Sequence, residues 1–447
     1  MTLKTKSATA VVLAIAALGL GGCIHWKNPF ASNTHAKYTG KGERIPVMTL
    51  DDSLKPADAL KGVGFYIPDP APMADWPLPG GTPEQSVENA AAGADFTVAW
   101  RAKYGAGSAR STHITAPPIA AGGRIYVMDG AAKVTAYDAA SGRQVWSVDA
   151  ALRTRRNHEA WGGGLAYDNG RVFVSSGYRF VAALDATTGK KIWETRTDAP
   201  VHAAPTVAGG RVFVESVDDD LLTFDEGTGA MGWTYQALVE PARILEATSP
   251  AITGDEVVAS FGSGELVALQ TTNGNGLWTA VLSKSNRNSA LSEIRDIPGR
   301  PVVYKGDVFA VSHSGLFAAI DLRTGETRWT LPVTSISTPW PVGDVVFVTD
   351  TSGEVICVAR ESGQVYWVVN LNKGIVKLKD RADWSGPMIA SNRLIVVSSK
   401  GEAVAMDPKT GVIQKRLKIG DDALMNPIAA GSNLYVATQN ADLIAIR

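Results

Sequence analysis

From about residue 96 to its end the chain is built of short apolar runs separated by polar turns, and the runs recur in a fixed order. In residues 301–329, PVVYKGDVFAVSHSGLFAAIDLRTGETRW, Pro301 opens one short apolar strand, Val308 to Ser312 is a second and Leu316 to Leu322 a third. A tight turn over Arg323, Thr324 and Gly325 leads to a fourth strand, Glu326 to Pro332, which carries Trp329. Proline has no N–H to give to a ladder, so it fits the first residue of a strand. The Gly supplies the positive φ that a bulged hairpin turn requires. The unit predicts one four-stranded antiparallel blade.

The same 28-residue interval that joins Pro301 to Trp329 joins Pro118 to Trp146, Pro205 to Trp233, Pro250 to Trp278 and Pro339 to Trp367. Leu165 to Trp193 keeps it without the Pro, and Pro387 to Lys415 without the Trp. A Gly stands four residues before each of these seven positions, at 142, 189, 229, 274, 325, 363 and 411; Asp138, Asp185, Asp225, Asp321 and Asp407 precede five of them by four more. A period of this kind is the signature of a propeller or a repeat array. An eighth unit begins at Pro427 and stops after its third strand, and the missing strand stands at the other end, Phe96 to Arg101 with Trp100. The first strand is therefore expected to close the last blade, which removes the open edges of a linear array. The prediction is an all-β fold: an eight-bladed β-propeller over residues 96–447. Trp100, Trp146, Trp193, Trp233, Trp278, Trp329 and Trp367 then read as wedges between blades, and the repeat aspartates as turn caps.

The N-terminus is different material. Lys4 and Lys6 precede an apolar segment, Ala8 to Leu20, of signal-peptide length, and Leu20-Gly21-Gly22-Cys23 resembles the lipobox of bacterial lipoproteins. That resemblance implies cleavage after residue 22, acylation of Cys23 and, with Ile24 next, retention at the periplasmic face of the outer membrane. Several acyl chains anchor stably where one does not. Residues 23–95, rich in Pro, Gly, Asp and Ala, read as a lipid-anchored tether, with Trp76 and Phe65-Tyr66-Ile67 able to pack on a blade or on a partner. Cys357, the second of two cysteines, leaves no internal disulfide.

A formal net charge of −1 with 45% hydrophobic residues gives no electrostatic reason to bind nucleic acid. The six histidines lack metal-ligand spacing, and neither a nucleophile elbow nor a phosphate loop occurs, so no catalytic residue, metal or cofactor is expected. Variation collects in the connections from each Trp position to the next blade. The longest, 279–300, holds Glu293, Arg295 and Asp296; the one before it, 234–249, holds Glu240, Arg243, Ile244 and Leu245. Both read equally as a protein-binding patch or as solvated connections.

The blade ending A-x-D-x-x-x-G-x-x-x-W resembles the tryptophan-docking motif of quinoprotein propellers. Quinoprotein alcohol dehydrogenases hold a quinone and calcium on the axis and usually a vicinal cysteine pair, which this chain lacks. Lipobox, length and closing strand resemble instead the BamB family of outer-membrane protein assembly lipoproteins. That resemblance implies a non-enzymatic scaffold that binds the periplasmic domains of the central barrel-assembly protein and assists nascent outer-membrane proteins. Arg243, Ile244, Leu245, Glu293, Arg295 and Asp296 are the positions it offers for that contact, although Pro298 replaces a second Asp of the family pattern. A quinone-dependent dehydrogenase and a periplasmic ligand receptor are the alternatives.

Overall fold

Strand pairing in the computed structural model, which describes residues 54–110, 112–151, 161–240, 244, 248–283 and 294–447, groups the chain into eight four-stranded sheets. Numbered in chain order, blades 1 to 7 cover residues 119–149, 163–196, 206–236, 251–281, 302–331, 340–370 and 384–418, each an antiparallel meander of consecutive strands, and blade 8 is the exception. There Ile428–Ala430, Asn433–Ala437 and Asp442–Ile446 are completed by Val98–Lys103, with Trp100 opposite Ala445 and Lys103 opposite Asp442. The chain's beginning thus closes an eight-bladed β-propeller. The lipobox and Cys23 lie outside the described residues.

The second and third strands of every blade are buried on both faces, as Val345–Thr349 and Asp307–Val311 are throughout. Neighbouring blades cover them, so both faces take apolar residues where a half-exposed strand would alternate. The outer strands alternate instead, as in Gly276–Val281.

Each wedge tryptophan lies on the turn glycine of the next blade. A Cβ on Gly325, whose φ is +73°, would stand 2.8 Å from atoms of Trp278, so only glycine allows both the turn and the approach. The same contact pairs Trp100 with Gly142, Trp146 with Gly189, Trp193 with Gly229, Trp233 with Gly274, Trp329 with Gly363 and Trp367 with Gly411. All seven indole N–H groups donate to a carbonyl of that next blade, at 2.5 to 3.2 Å. The repeat aspartates cap the turns as expected: Asp185 accepts from the N–H and hydroxyl of Thr188, and Asp225 from those of Thr228. These hydrogen bonds hold both carboxyls below the usual range. Lys415 stands where the eighth Trp would be. The blade it faces has a chain break in place of the turn, and its ammonium donates to the carbonyl of Asp95.

Residues 54–95, within the segment read as a tether, run across one end of the ring. Their backbone meets the inner strand or the first turn of seven blades: Trp76 exchanges two hydrogen bonds with Ala120, Pro77 accepts from Tyr167, Pro83 from Ile252, Glu84 from Val303, Tyr66 from Asp344 and Met73 from Gly431, and Ala90 donates to Ile389. Blade 3 is reached by Gln85, whose amide bonds to Thr206 and to Pro250 of blade 4. Trp76, 1% exposed, stacks on Trp340 from the opposite side of the ring at 6.3 Å. The end of the channel that carries the turns between first and second strands is therefore covered by the chain itself.

Candidate functional site

In an antiparallel meander the connection from fourth strand to next blade emerges at the end opposite the first turn, so the variable loops gather on the face that the 54–95 segment leaves uncovered. Three buried acids root two of these loops, those entering blades 4 and 5. Glu215 ends the second strand of blade 3 and is 1% exposed; one carboxyl oxygen accepts from the hydroxyl of Thr248 at 2.7 Å. Asp219, in the turn that follows, accepts from the N–H of Glu240 and from that of Gly262, both at 2.9 Å. Asp296 accepts from the N–H of Ile244 at 2.6 Å, and its own carbonyl receives the N–H of His313. Each carboxylate thus ties together segments far apart in sequence, and Asp296 welds one loop to the other.

Burial pushes the Glu215 carboxyl up to about 8 against the hydrogen bond from Thr248, and the charges of Asp219 and Asp296 push in the same direction. At neutral pH Glu215 carries its proton. Burial also holds the His313 imidazole below its usual range, against a hydrogen bond between its ring and the backbone of Ile294.

The expected site residues divide accordingly. Asp296 is buried, and Ile297 beside it is fully buried, so both are supports of the ledge. Arg295 is exposed at its rim and Ile244 half-buried. Arg243, Leu245 and Glu293 lie outside the described residues. Two side chains not singled out in the sequence are the most exposed of the described large apolar residues on this ledge, Leu238 at 68% and Val239 at 64%. An adjacent aliphatic pair just ahead of Glu240, in a connection and not in a strand, was the available signal. Glu215 had one too. At the fifth position of the second strand the blades carry Met128, Ser175, Glu215, Ser260, Val311, Thr349, Val397 and Ala437, and only one is charged. A lone acid at a repeat position that is otherwise apolar or small marks a special environment.

On the axis at this same end, Thr115, Arg300, Ser337, Thr338, Ser385 and Asn426 line a cavity of about 40 Å³. Such a volume holds a few waters. No group of three His, Cys, Asp or Glu side chains placed to hold a metal occurs among the described residues. The ledge offers exposed aliphatics, an arginine and fixed backbone, which is the chemistry of adhesion to another protein.

Comparisons with known proteins give two families. Residues 151–369 match the family model described as outer membrane protein assembly factor BamB, and residues 89–192 match that of the glucose/ethanol/alcohol dehydrogenase beta-propeller domain. The outer membrane protein assembly factor BamB of Burkholderia pseudomallei is 27% identical over 355 residues, covering 79% of this chain and 88% of the relative. That of Alkalilimnicola ehrlichii is 28% identical over 349 residues, covering 78% and 87%. Among solved structures, BamB from Moraxella catarrhalis superposes with a TM-score of 0.66 at 20% identity, covering 78% of this chain and 98% of that one. The quinohemoprotein alcohol dehydrogenase of Comamonas testosteroni reaches the same TM-score at 13% identity, covering 87% and 82%. Both structural likenesses are of fold. A pocket for a cofactor-sized ligand occupies roughly 300 Å³ or more; the axial cavity of about 40 Å³ and the adjoining one of about 150 Å³, lined by His113, Trp161 and Gln439, with no metal cluster among the described residues, do not fit a quinone with its calcium.

Proposed function

The chain belongs to the BamB family of outer membrane protein assembly factors, and from that premise we propose that it is a non-enzymatic scaffold, anchored through Cys23 at the periplasmic face of the outer membrane. It binds the periplasmic domains of the central barrel-assembly protein through the ledge formed by the loops entering blades 4 and 5, and so assists insertion of nascent outer-membrane proteins. The observation that carries this reading is the weld between the two loops. Asp296 to Ile244, and Asp219 to Glu240 and Gly262, tie the described parts of two long connections together, and among the described large apolar side chains there Leu238 and Val239 are the most exposed. Pre-ordering a loop lowers the entropy lost when a partner docks on it. Two solvated aliphatics beside an exposed Arg295 form a small apolar centre with a polar rim, the anatomy of a protein interface.

Copurification of the barrel-assembly protein's periplasmic domains with the purified chain tests it. Leu238→Asp with Val239→Asp places two charges at the proposed centre and should weaken binding by about thirtyfold or more, the effect of losing a hot spot of roughly 2 kcal/mol. Binding that survives this pair and Arg295→Glu unchanged would remove the ledge from the interface.

A further inference from the structure

We propose that the connection entering blade 7, residues 371–383, is a prong that inserts shallowly into an anionic phospholipid surface. Its tip, KGIVKLKDR over 373–381, carries four basic residues and one acid. Val376 is 91% and Leu378 79% exposed, the highest values among the described large apolar side chains. Their solvation does not come from a slack loop. Asn372, itself buried, holds both ends of the connection: its amide donates to the carbonyls of Ser352 and Ala382, its oxygen accepts from the N–H of Ala382 and the indole of Trp384, and its carbonyl accepts from Ile375. Leu378–Asp380 forms a turn of 3-10 helix, and the Arg381 guanidinium folds back on the carbonyl of Ile375. Lys400, from the turn of blade 7 beside it, donates to the carbonyl of Lys379 and adds a further cation.

An ordered tip that presents two aliphatics to water is unfavourable unless something covers them part of the time. The interleaving of Val376 and Leu378 with Lys377 and Lys379 fits an interface of phosphate over acyl chains: the aliphatics reach the acyl boundary while the lysine stems lie along it and their ammonium groups meet phosphates. The tip differs from the ledge, whose aliphatic pair stands with Arg295, in interleaving its own pair with lysines, a pattern that suits a phosphate surface better than the packed, desolvated pocket of a protein hot spot. The chain's path permits this. The N–H of Ala57 donates to the carbonyl of Val365 at 2.8 Å, and Val365 opens the strand Val365–Asn370 that runs directly into the prong. The first described residues thus meet this strand at its covered end, and the prong leaves its other end, about 20 Å away. On the reading of Cys23 as the anchor, residues 24–53 span up to about 100 Å when extended, enough to let this face meet the membrane.

The test must separate the prong from the acyl anchor. Residues 54–447 contain the whole ring with its own core, so the chain beginning at residue 24, without acyl groups, is floated with phosphatidylcholine vesicles and with vesicles that also contain phosphatidylglycerol. Binding is expected only to the anionic vesicles, falling steeply with added salt. Lys377→Gln with Lys379→Gln should lower partitioning about twentyfold, at roughly fivefold per lysine. Val376→Ser with Leu378→Ser should lower it at least about tenfold. Both pairs are exposed, so the unfolding midpoint should stay that of the parent. Failure to bind anionic vesicles, equal binding to both kinds, or binding indifferent to both pairs overturns the proposal, as does a photoreactive residue at position 378 that crosslinks only protein in cells. None of these outcomes touches Leu238 and Val239, so the ledge and the prong stand or fall separately.

Discussion

The two ends of the ring solve opposite problems with the same kind of material. At one end residues 54–95, poor in periodicity and rich in Pro and Gly, are spent on hydrogen bonds to the inner strands and bury Trp76 against Trp340. At the other end the connections between blades meet one another through buried carboxylates and leave aliphatics in water, Leu238 and Val239 on one side of the ring and Val376 and Leu378 on another. Irregular backbone must place its polar groups somewhere. Where it places them on the ring it becomes part of the fold; where it places them on itself its side chains are available to something else. The difference directs attention to the uncovered face.

The largest way to break that contrast is at the covered end. If Trp76 is an integral plug, Trp76→Ala leaves a hole against Trp340 and should cost about 3 to 5 kcal/mol of stability in denaturant unfolding. A loss below roughly 1 kcal/mol, the usual size of a surface substitution, would mean that the segment merely lies on the ring and that the two ends are alike.

A smaller effect tests the acid-rooted end. In the folded chain Glu215 keeps its proton up to about 8, whereas in the unfolded chain it releases it near 4.5. Between those values the folded state holds the extra proton, so the contribution is complete below 4.5, declines as pH rises and is lost above about 8. The slope is at most about 1.4 kcal/mol per pH unit. Glu215→Gln, which is neutral at every pH and keeps an oxygen for Thr248, should flatten this part of the stability profile measured by denaturant unfolding from pH 5 to 8. An unchanged slope in the variant would assign the dependence to other groups.

The ring was legible in the sequence because every blade makes the same demand. A tryptophan needs a glycine to lie on, that glycine needs a turn, and the Asp caps the turn, so the interval from Pro301 to Trp329 reappears wherever the geometry does. The closing strand was legible as a missing one. The covering segment was not: its bonds to Ala120, Tyr167 and Ile252 are made by backbone atoms, which leave no mark on residue type, and only its aromatics hinted at burial. The ledge was half legible. The family resemblance picked out Asp296, but a carboxylate's letter does not say whether it faces a partner or a neighbouring loop. Glu215 and Asp219 were passed over because an acid at a strand end usually faces water.

That ambiguity at Asp296 gives the finest test, because two substitutions separate support from contact. Asp296→Ala removes the acceptor for the N–H of Ile244 and should cost about 1 to 3 kcal/mol, with faster hydrogen exchange at Ile244 as the two loops part. Asp296→Asn keeps an oxygen in place while removing the charge. It should preserve most of the protection at Ile244 and, by withdrawing one of the two charges that raise Glu215, make the decline of stability that starts near 4.5 end at a lower pH. If Asp296 acts as a support, the Asn variant still binds the barrel-assembly protein's periplasmic domains while the Ala variant binds weakly; a carboxylate that itself met the partner would lose binding equally in both. Equal loss would turn the ledge inside out, making its acid the contact and its exposed aliphatics bystanders.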